Sequence, residues 1–168
     1  MIRLSLILGV AFFLMSSCEE NKGIVEVKDF EFCLQEEGNV AIEKIDAEIK
    51  FWEQRFSTVP DDLIARSKIA GLLTRRFNYS ARIEEIHQAD SLLKLVNSVN
   101  RINSSSTFRS LAANCITQHQ FRQAQLYIDS ALTLGDDRYL SVLMEFDIAM
   151  ELGNLQRARQ ALQSLADK

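Results

Sequence analysis

Proline and glycine are scarce in this sequence, with one proline and six glycines among 168 residues. Both residues concentrate in turns, and proline also interrupts helices. Runs of β-branched residues are few after residue 40. A chain of many short strands needs frequent turns and β-branched residues, so these shortages predict an all-α fold.

The sequence also lacks any tract that is rich in lysine or arginine. Its 19 basic and 23 acidic residues give a formal net charge of −4 at pH 7. A nucleic-acid-binding domain carries a basic patch or stripe. We therefore expect no nucleic-acid partner.

Familiar catalytic motifs are missing as well. The sequence contains no glycine-rich phosphate loop, no HExxH motif and no Gly-x-Ser-x-Gly motif. Its two histidines, His87 and His119, do not have the spacing of metal ligands. Acidic pairs such as Glu84-Glu85 fall in predicted first turns, where the helix dipole accounts for them. We expect no enzyme activity, no metal, no cofactor and no small-molecule substrate.

A long apolar run is present only at the N-terminus, from Leu4 to Met15. Spanning a bilayer takes roughly 20 apolar residues in a helix, so this run is too short to span one stably. Arg3 precedes it, and Ser16 and Ser17 follow it. This order predicts a secretory signal peptide over residues 1–17. The alternative, a buried N-terminal helix, would present no polar face to water.

Cys18 follows the apolar run directly. The residues Met15-Ser16-Ser17-Cys18 resemble the lipobox of bacterial lipoproteins, in the looser form used by the Bacteroidota. The family prefers Leu and then Gly or Ala where Met15 and Ser17 stand. The resemblance implies cleavage before Cys18, lipidation of its thiol and attachment to the bacterial outer membrane, on the periplasmic face or the cell surface. The alternative is an ordinary cleavage site followed by an ordinary cysteine.

Residues 18–38 are mostly polar and acidic, and we expect them to form a lipidated N-terminus and a flexible tether. Short apolar alternations at 24–27 and 30–34 could form a strand, but a lone strand lacks a partner. Cys33 and Cys115 show no motif spacing and are expected to be separate thiols.

Helical periodicity begins at Asn39, which is the expected N-cap of the first helix. Its apolar residues recur at spacings of three and four: Ile42, Ile45, Ile49, Trp52 and Phe56. Residues 60–62, Pro-Asp-Asp, are expected to separate this helix from the next. Similar patterns predict about seven helices over residues 39–168.

Two of the later predicted helix pairs repeat. Ala158 follows Ala124 by the same number of residues as Gly153 follows His119. Ala158 and Ala124 therefore hold equivalent helix positions, and Gly153 and His119 hold equivalent turn positions. This register resembles the tetratricopeptide repeat (TPR), a helix-turn-helix unit of about 34 residues. The resemblance is strongest over 105–168, weaker over 60–104 and absent before residue 60.

The TPR family requires small residues where paired helices cross most closely, because larger side chains would force the helices apart. The matching positions are Ala70, Ala89, Ala112, Ala124 and Ala158. Phe146 departs from this pattern. The resemblance implies a short TPR-like helical-repeat solenoid, and the last helix is expected to bury one apolar stripe: Leu155, Ala158, Ala161, Leu162 and Leu165.

In the TPR family the first helix of each pair lines a concave groove that binds a protein or peptide. Carried over to this chain, the groove contains Arg75, Arg109, Ile116, Asp147, Met150 and Glu151. We expect the acidic end of an extended or helical segment to meet the two arginines. Core packing is an equal alternative for Ile116 and Met150.

These expectations combine into one functional hypothesis. The chain is expected to be a membrane-anchored protein–protein interaction or scaffold module of the bacterial cell envelope. The alternative is an assembly factor or pilotin-like lipoprotein for an outer-membrane complex.

The substitution Cys18→Ser tests the anchor. It should abolish incorporation of labelled fatty acid and prevent cleavage, because the thiol is the acceptor of the lipid. Cys33→Ser is the matched control and should still be labelled. Labelling of the Cys18→Ser protein at the wild-type level would disprove lipidation at this position.

Overall fold

The computed structural model describes residues 26–31, 37–59, 61–99, 105–135 and 137–166. The chain divides into two compact units, Met1–Glu37 and Gly38–Lys168. The described part of the first unit contains a short helical turn, Val27–Phe30, that begins with a capping box. In this box the amide of Glu26 donates to Asp29 Oδ2 at 2.9 Å. The expected signal peptide and Cys18 lie outside the described residues.

The described residues after 36 form seven helices and no strand, which confirms the predicted all-α fold class. The helices are α1, Glu37–Thr58; α2, Leu63–Ser80; α3, Ile83–Val99; α4, Ser105–Thr117; α5, Phe121–Leu134; α6, Arg138–Glu151; and α7, Leu155–Ala166.

The boundary between α1 and α2 follows the turn chemistry of the sequence, as predicted. Asp62 caps α2, because its carboxylate accepts hydrogen bonds from the amides of Ile64 and Ala65 at 2.9 and 3.0 Å. A hydrogen bond from Arg55, together with the Ala65 amide, lowers the pKa of Asp62 below its ordinary value. The cap therefore stays ionised, which suits the positive end of a helix dipole.

One helix start was predicted wrongly. α1 begins at Glu37, so Asn39 lies inside its first turn and is not the N-cap. Helix boundaries that rest on a sequence pattern alone are uncertain by one or two residues.

The turns inside the second and third helix pairs share one geometry. His119 and Gly153, which hold equivalent positions in the two pairs, both adopt left-handed backbone angles, with φ of 56° and 69°. The residue after each turn donates its amide back to the end of the preceding helix: Gln120 to the Cys115 carbonyl and Asn154 to the Ala149 carbonyl, both at 2.8 Å. Short connections of this kind place consecutive helices antiparallel.

Alanine occupies the core of each helix pair. The closest helix contacts join α2 with α3, α4 with α5 and α6 with α7. The alanines that were predicted at crossings are all buried: Ala70, Ala89, Ala112, Ala124 and Ala158. Larger apolar side chains pack around them, such as Ile128 and Ile148 in one cluster and Leu93 and Leu111 in another. Small residues thus let the backbones approach while their neighbours fill the space.

The three pairs follow one another along the chain. α3 contacts α4, and α5 contacts α6. The first helices of the pairs also meet, because α4 contacts both α2 and α6. α4 is therefore the central helix of this array.

α1 is attached differently from the other helices. Among the described residues, its backbone does not approach another helix over an extended contact. Instead, the guanidinium of Arg76 in α2 bonds to Asp46 at 2.7 Å and also to Glu85 in α3. Of the apolar stripe predicted for α1, Ile45 is buried, whereas Ile42, Ile49, Trp52 and Phe56 are half-buried.

The apolar stripe predicted for α7 is only partly correct. Ala158 and Ala161 are buried, but Leu155 and Leu162 are 64% and 55% exposed. Arg157 is half-buried and forms ion pairs with Asp129 and Glu145. The helix therefore turns its alanines and Arg157 inward and leaves two leucines uncovered by the described chain.

Gly153→Ala and Gly71→Ala should change stability in opposite directions. A Cβ at either position meets no atom within 4 Å. Gly153 has a positive φ, so alanine there should cost about 1 kcal/mol of unfolding free energy. Gly71 is an exposed position inside α2, where alanine should add about 0.5–1 kcal/mol. Urea unfolding measures both, and a change of the same sign would contradict the turn geometry.

Candidate functional site

A buried polar cluster fixes the position of α4 against the first helix pair. The side chain of Asn114 is 1% exposed. It donates to Asp90 Oδ1 in α3 at 2.8 Å and accepts from the Thr74 hydroxyl in α2 at 3.0 Å. Gln118 donates to the second Asp90 oxygen at 3.3 Å. Because these bonds join three helices, they set the direction in which the C-terminal half of α4 points.

Arg109, which was predicted to line the groove, is buried, with 8% of the residue exposed. Its guanidinium donates to Ser105 at 2.9 Å, to Ser141 at 3.3 Å and to Asp137 at 3.0 Å. It therefore connects α4 to the start of α6. In this geometry Arg109 does not present its charge to a partner, and we assign it a structural role instead.

Arg75, the other predicted groove arginine, is exposed and lies beside α1. Its side chain donates to Glu48 of α1 at 3.1 Å and is 48% exposed. It lines a polar cleft of about 470 Å³ between α1 and α2 together with Trp52 and Lys68. The structure thus separates Arg75 from Arg109, so the two do not form one basic end of a groove.

Three other predicted groove residues do come together. Ile116 of α4 and both Asp147 and Glu151 of α6 line one cavity of about 200 Å³. Ile148, His119 and Phe121 complete its wall. The rings of His119 and Phe121 meet edge to face, with centroids 5.7 Å apart. The cavity combines an apolar floor with two carboxylates.

The dimensions of this cavity favour a side chain over a free ligand. Small-molecule sites typically measure about 300–1,000 Å³, and 200 Å³ lies below that range. An apolar side chain could enter it, and a basic residue beside that side chain could meet Asp147 or Glu151. Met150, the remaining predicted groove residue, precedes Glu151 and is 48% exposed.

A larger cleft of about 550 Å³ lies between α1, α2 and α3 and was not predicted. Its apolar lining consists of Ile49, Phe56, Ile69, Leu73 and Leu92. Arg66 stacks over the Phe56 ring at 4.5 Å from the centroid. Both this cleft and the polar one beside Arg75 flank α1 and result from its wide spacing. Neither brings together side chains from successive pairs.

Sequence reasoning missed His119 and Phe121 as parts of the site, since each was assigned only to a turn or a helix contact. The available signal was their position: both follow the C-terminal end of α4, where Ile116 was already expected in the groove. A residue in the turn after α4 lies close to the C-terminal end of that helix, and therefore close to Ile116.

Cys115 is a free, buried cysteine, and burial raises the pKa of its thiol. A protonated, buried thiol is a poor nucleophile. Within the described ranges, no three His, Cys, Asp or Glu side chains are placed to hold a metal ion. Cys33 lies outside those ranges.

Comparison with protein-family models, curated proteins and solved structures finds no match to this chain. None of the described helices is both long enough and apolar enough to cross a membrane.

Arg109→Leu and Arg75→Leu should differ strongly in their effect on stability. Loss of Arg109 removes hydrogen bonds from a charged group to Ser105, Ser141 and Asp137, and should cost about 2 kcal/mol or more. Loss of Arg75 removes an exposed ion pair and should cost less than about 1 kcal/mol.

Urea unfolding of both variants checks this difference. Equal midpoints for the two proteins would contradict a structural role for Arg109 and return it to the candidate groove.

Proposed function

We propose that this protein is a membrane-anchored interaction module of the bacterial cell envelope, with a TPR-like helical-repeat solenoid that binds a protein or peptide segment. The observation that carries the proposal is the small cavity in which Ile116, Asp147 and Glu151 meet. These residues come from α4 and α6, the first helices of successive pairs.

Several features support a repeat. His119 and Gly153 have similar left-handed angles, and the amide bonds that close their turns are equivalent. Ala124 and Ala158, separated by the same interval as these two turn residues, are both buried. α4 lies between α2 and α6, as the first helices of stacked pairs do in a solenoid.

The charges of the surface suggest the chemistry of the partner. Asp147 and Glu151 lie one helical turn apart on α6, beside the exposed Met150. Arg109 is not available to balance them, because its guanidinium binds Asp137 and two serines. The partner segment therefore carries an apolar side chain next to lysine or arginine. The arginine end expected from the sequence does not contribute to this surface, because Arg109 is buried.

Membrane attachment enters the proposal from residues 14–18, whose lipobox-like order implies a lipid on Cys18. The enzymatic alternative is disfavoured by the buried Cys115 and by the absence of catalytic motifs from the sequence. An anchored chain without its own chemistry acts by holding another protein near the membrane.

Site-specific photocrosslinking in the lipidated protein tests this function. A crosslinking amino acid at Met150 should capture a partner in membranes, whereas the same group at Gln160, exposed on α7, should not. Asp147→Lys with Glu151→Lys should reduce capture at Met150 and weaken binding at least about tenfold, since the carboxylates attract the basic segment.

A charge-matched control separates local from general electrostatics. Glu43→Lys with Asp61→Lys makes the same change in net charge at exposed positions away from the cavity, and should leave capture intact. Melting should be unchanged in both double variants. Equal loss of capture in both, or equal capture from Gln160 and Met150, would refute the proposed groove.

A further inference from the structure

The second and third helix pairs expose equivalent positions to different extents. Ile128 of α5 is completely buried, whereas Leu162, its equivalent in α7, is 55% exposed. Phe121 is half-buried, but its equivalent Leu155 is 64% exposed. The third pair therefore exposes Leu155 and Leu162 at two positions whose equivalents in the second pair are buried or half-buried.

The cover of the second pair is visible in the structure. Ile128 belongs to a buried cluster with Ile148 of α6, and Met144 of the same helix packs against that cluster. α6 therefore supplies apolar side chains to the preceding pair. Within the described residues no helix follows α7 to do the same for Leu155 and Leu162.

A positive charge lies within this uncovered stripe. Arg159 stands four residues after Leu155 and three before Leu162, so the three side chains share one face of α7. Arg159 is exposed and forms no ion pair with the described residues. Its equivalent in α5 is Gln125, which is uncharged. A helix that covers Leu155 and Leu162 must therefore also face a guanidinium.

We propose that the stripe Leu155, Arg159 and Leu162 is a second docking surface, and that its occupant is an amphipathic helix of a partner protein. That helix presents apolar side chains in the arrangement of Met144 and Ile148 and a carboxylate opposite Arg159. The inference rests on the repeat register of the proposed function but not on the groove, because its three residues lie on α7 and none of them lines the cavity.

A displayed peptide library tests the surface with the full chain as target. The probe is a 14-residue helix with the α6 sequence, in which Met144 and Ile148 are kept and the other positions are randomised. Selected peptides should be enriched in aspartate or glutamate on the apolar face. Their affinity should fall at least tenfold on Leu155→Lys with Leu162→Lys, and also on Arg159→Glu.

Leu126→Lys is the matched control. Leu126 is 60% exposed on α5, so the same chemical change is made at similar exposure outside the stripe, and peptide binding should persist. Failure to select any peptide, or equal binding to the wild type and to the Leu155/Leu162 double variant, overturns the proposal. Urea unfolding should confirm that the double variant is folded, since both leucines are exposed.

Sedimentation equilibrium tests whether a second copy of this chain occupies the stripe instead of a partner helix. A wild-type dimer that dissociates in the Leu155/Leu162 double variant overturns the partner-helix proposal in favour of a second copy of this chain. Crosslinking from Met150 should remain intact in that variant, so loss of the stripe and loss of the groove give different results.

Discussion

Close contact between paired helices depends on small, buried residues. Ala70 and Ala89 in the first pair, and Ala112 and Ala124 in the second, are buried, and small side chains let two helix backbones approach each other closely. Each alanine buries little apolar surface itself, but its neighbours gain contacts: Ile128 and Ile148 pack around one crossing, and Leu93 and Leu111 around the other. A larger residue at any crossing would separate the helices and loosen these clusters, with a cost of about 1–3 kcal/mol.

Polar side chains determine how one pair sits on the next. Asn114 joins α4 to α2 and α3, Arg109 joins α4 to α6, and Arg157 joins α7 to α5 and α6. Buried polar groups are costly unless they are paired, so each of them accepts few alternative arrangements. The apolar clusters favour stacking of the helix pairs in general. The hydrogen bonds favour one particular position of each pair on the next.

The sequence predicted the helices because they depend on local spacing, and it predicted the buried alanines by carrying over the TPR pattern. It did not predict the burial of Arg109, since that depends on Asp137 and Ser141, 28 and 32 residues away. Within the candidate site, Ile116, Asp147 and Glu151 were predicted by carrying over a family pattern, and they meet in one cavity. Phe121 and His119 were not predicted as cavity residues. The direction of a side chain at or beside a turn depends on how the helices pack, and the sequence pattern does not show this.

The wide spacing of α1 distributes stability unevenly along the chain. Ion pairs of Asp46, Glu48 and Arg55 attach this helix together with an apolar stripe that is only partly buried, whereas buried apolar clusters hold the later pairs. Exposed ion pairs are weak and are screened by salt. We therefore expect α1 to open as a local unit more readily than the alanine-centred pairs. Mechanical tension applied to the chain on the N-terminal side of α1 should therefore separate this helix before it disturbs the three later pairs.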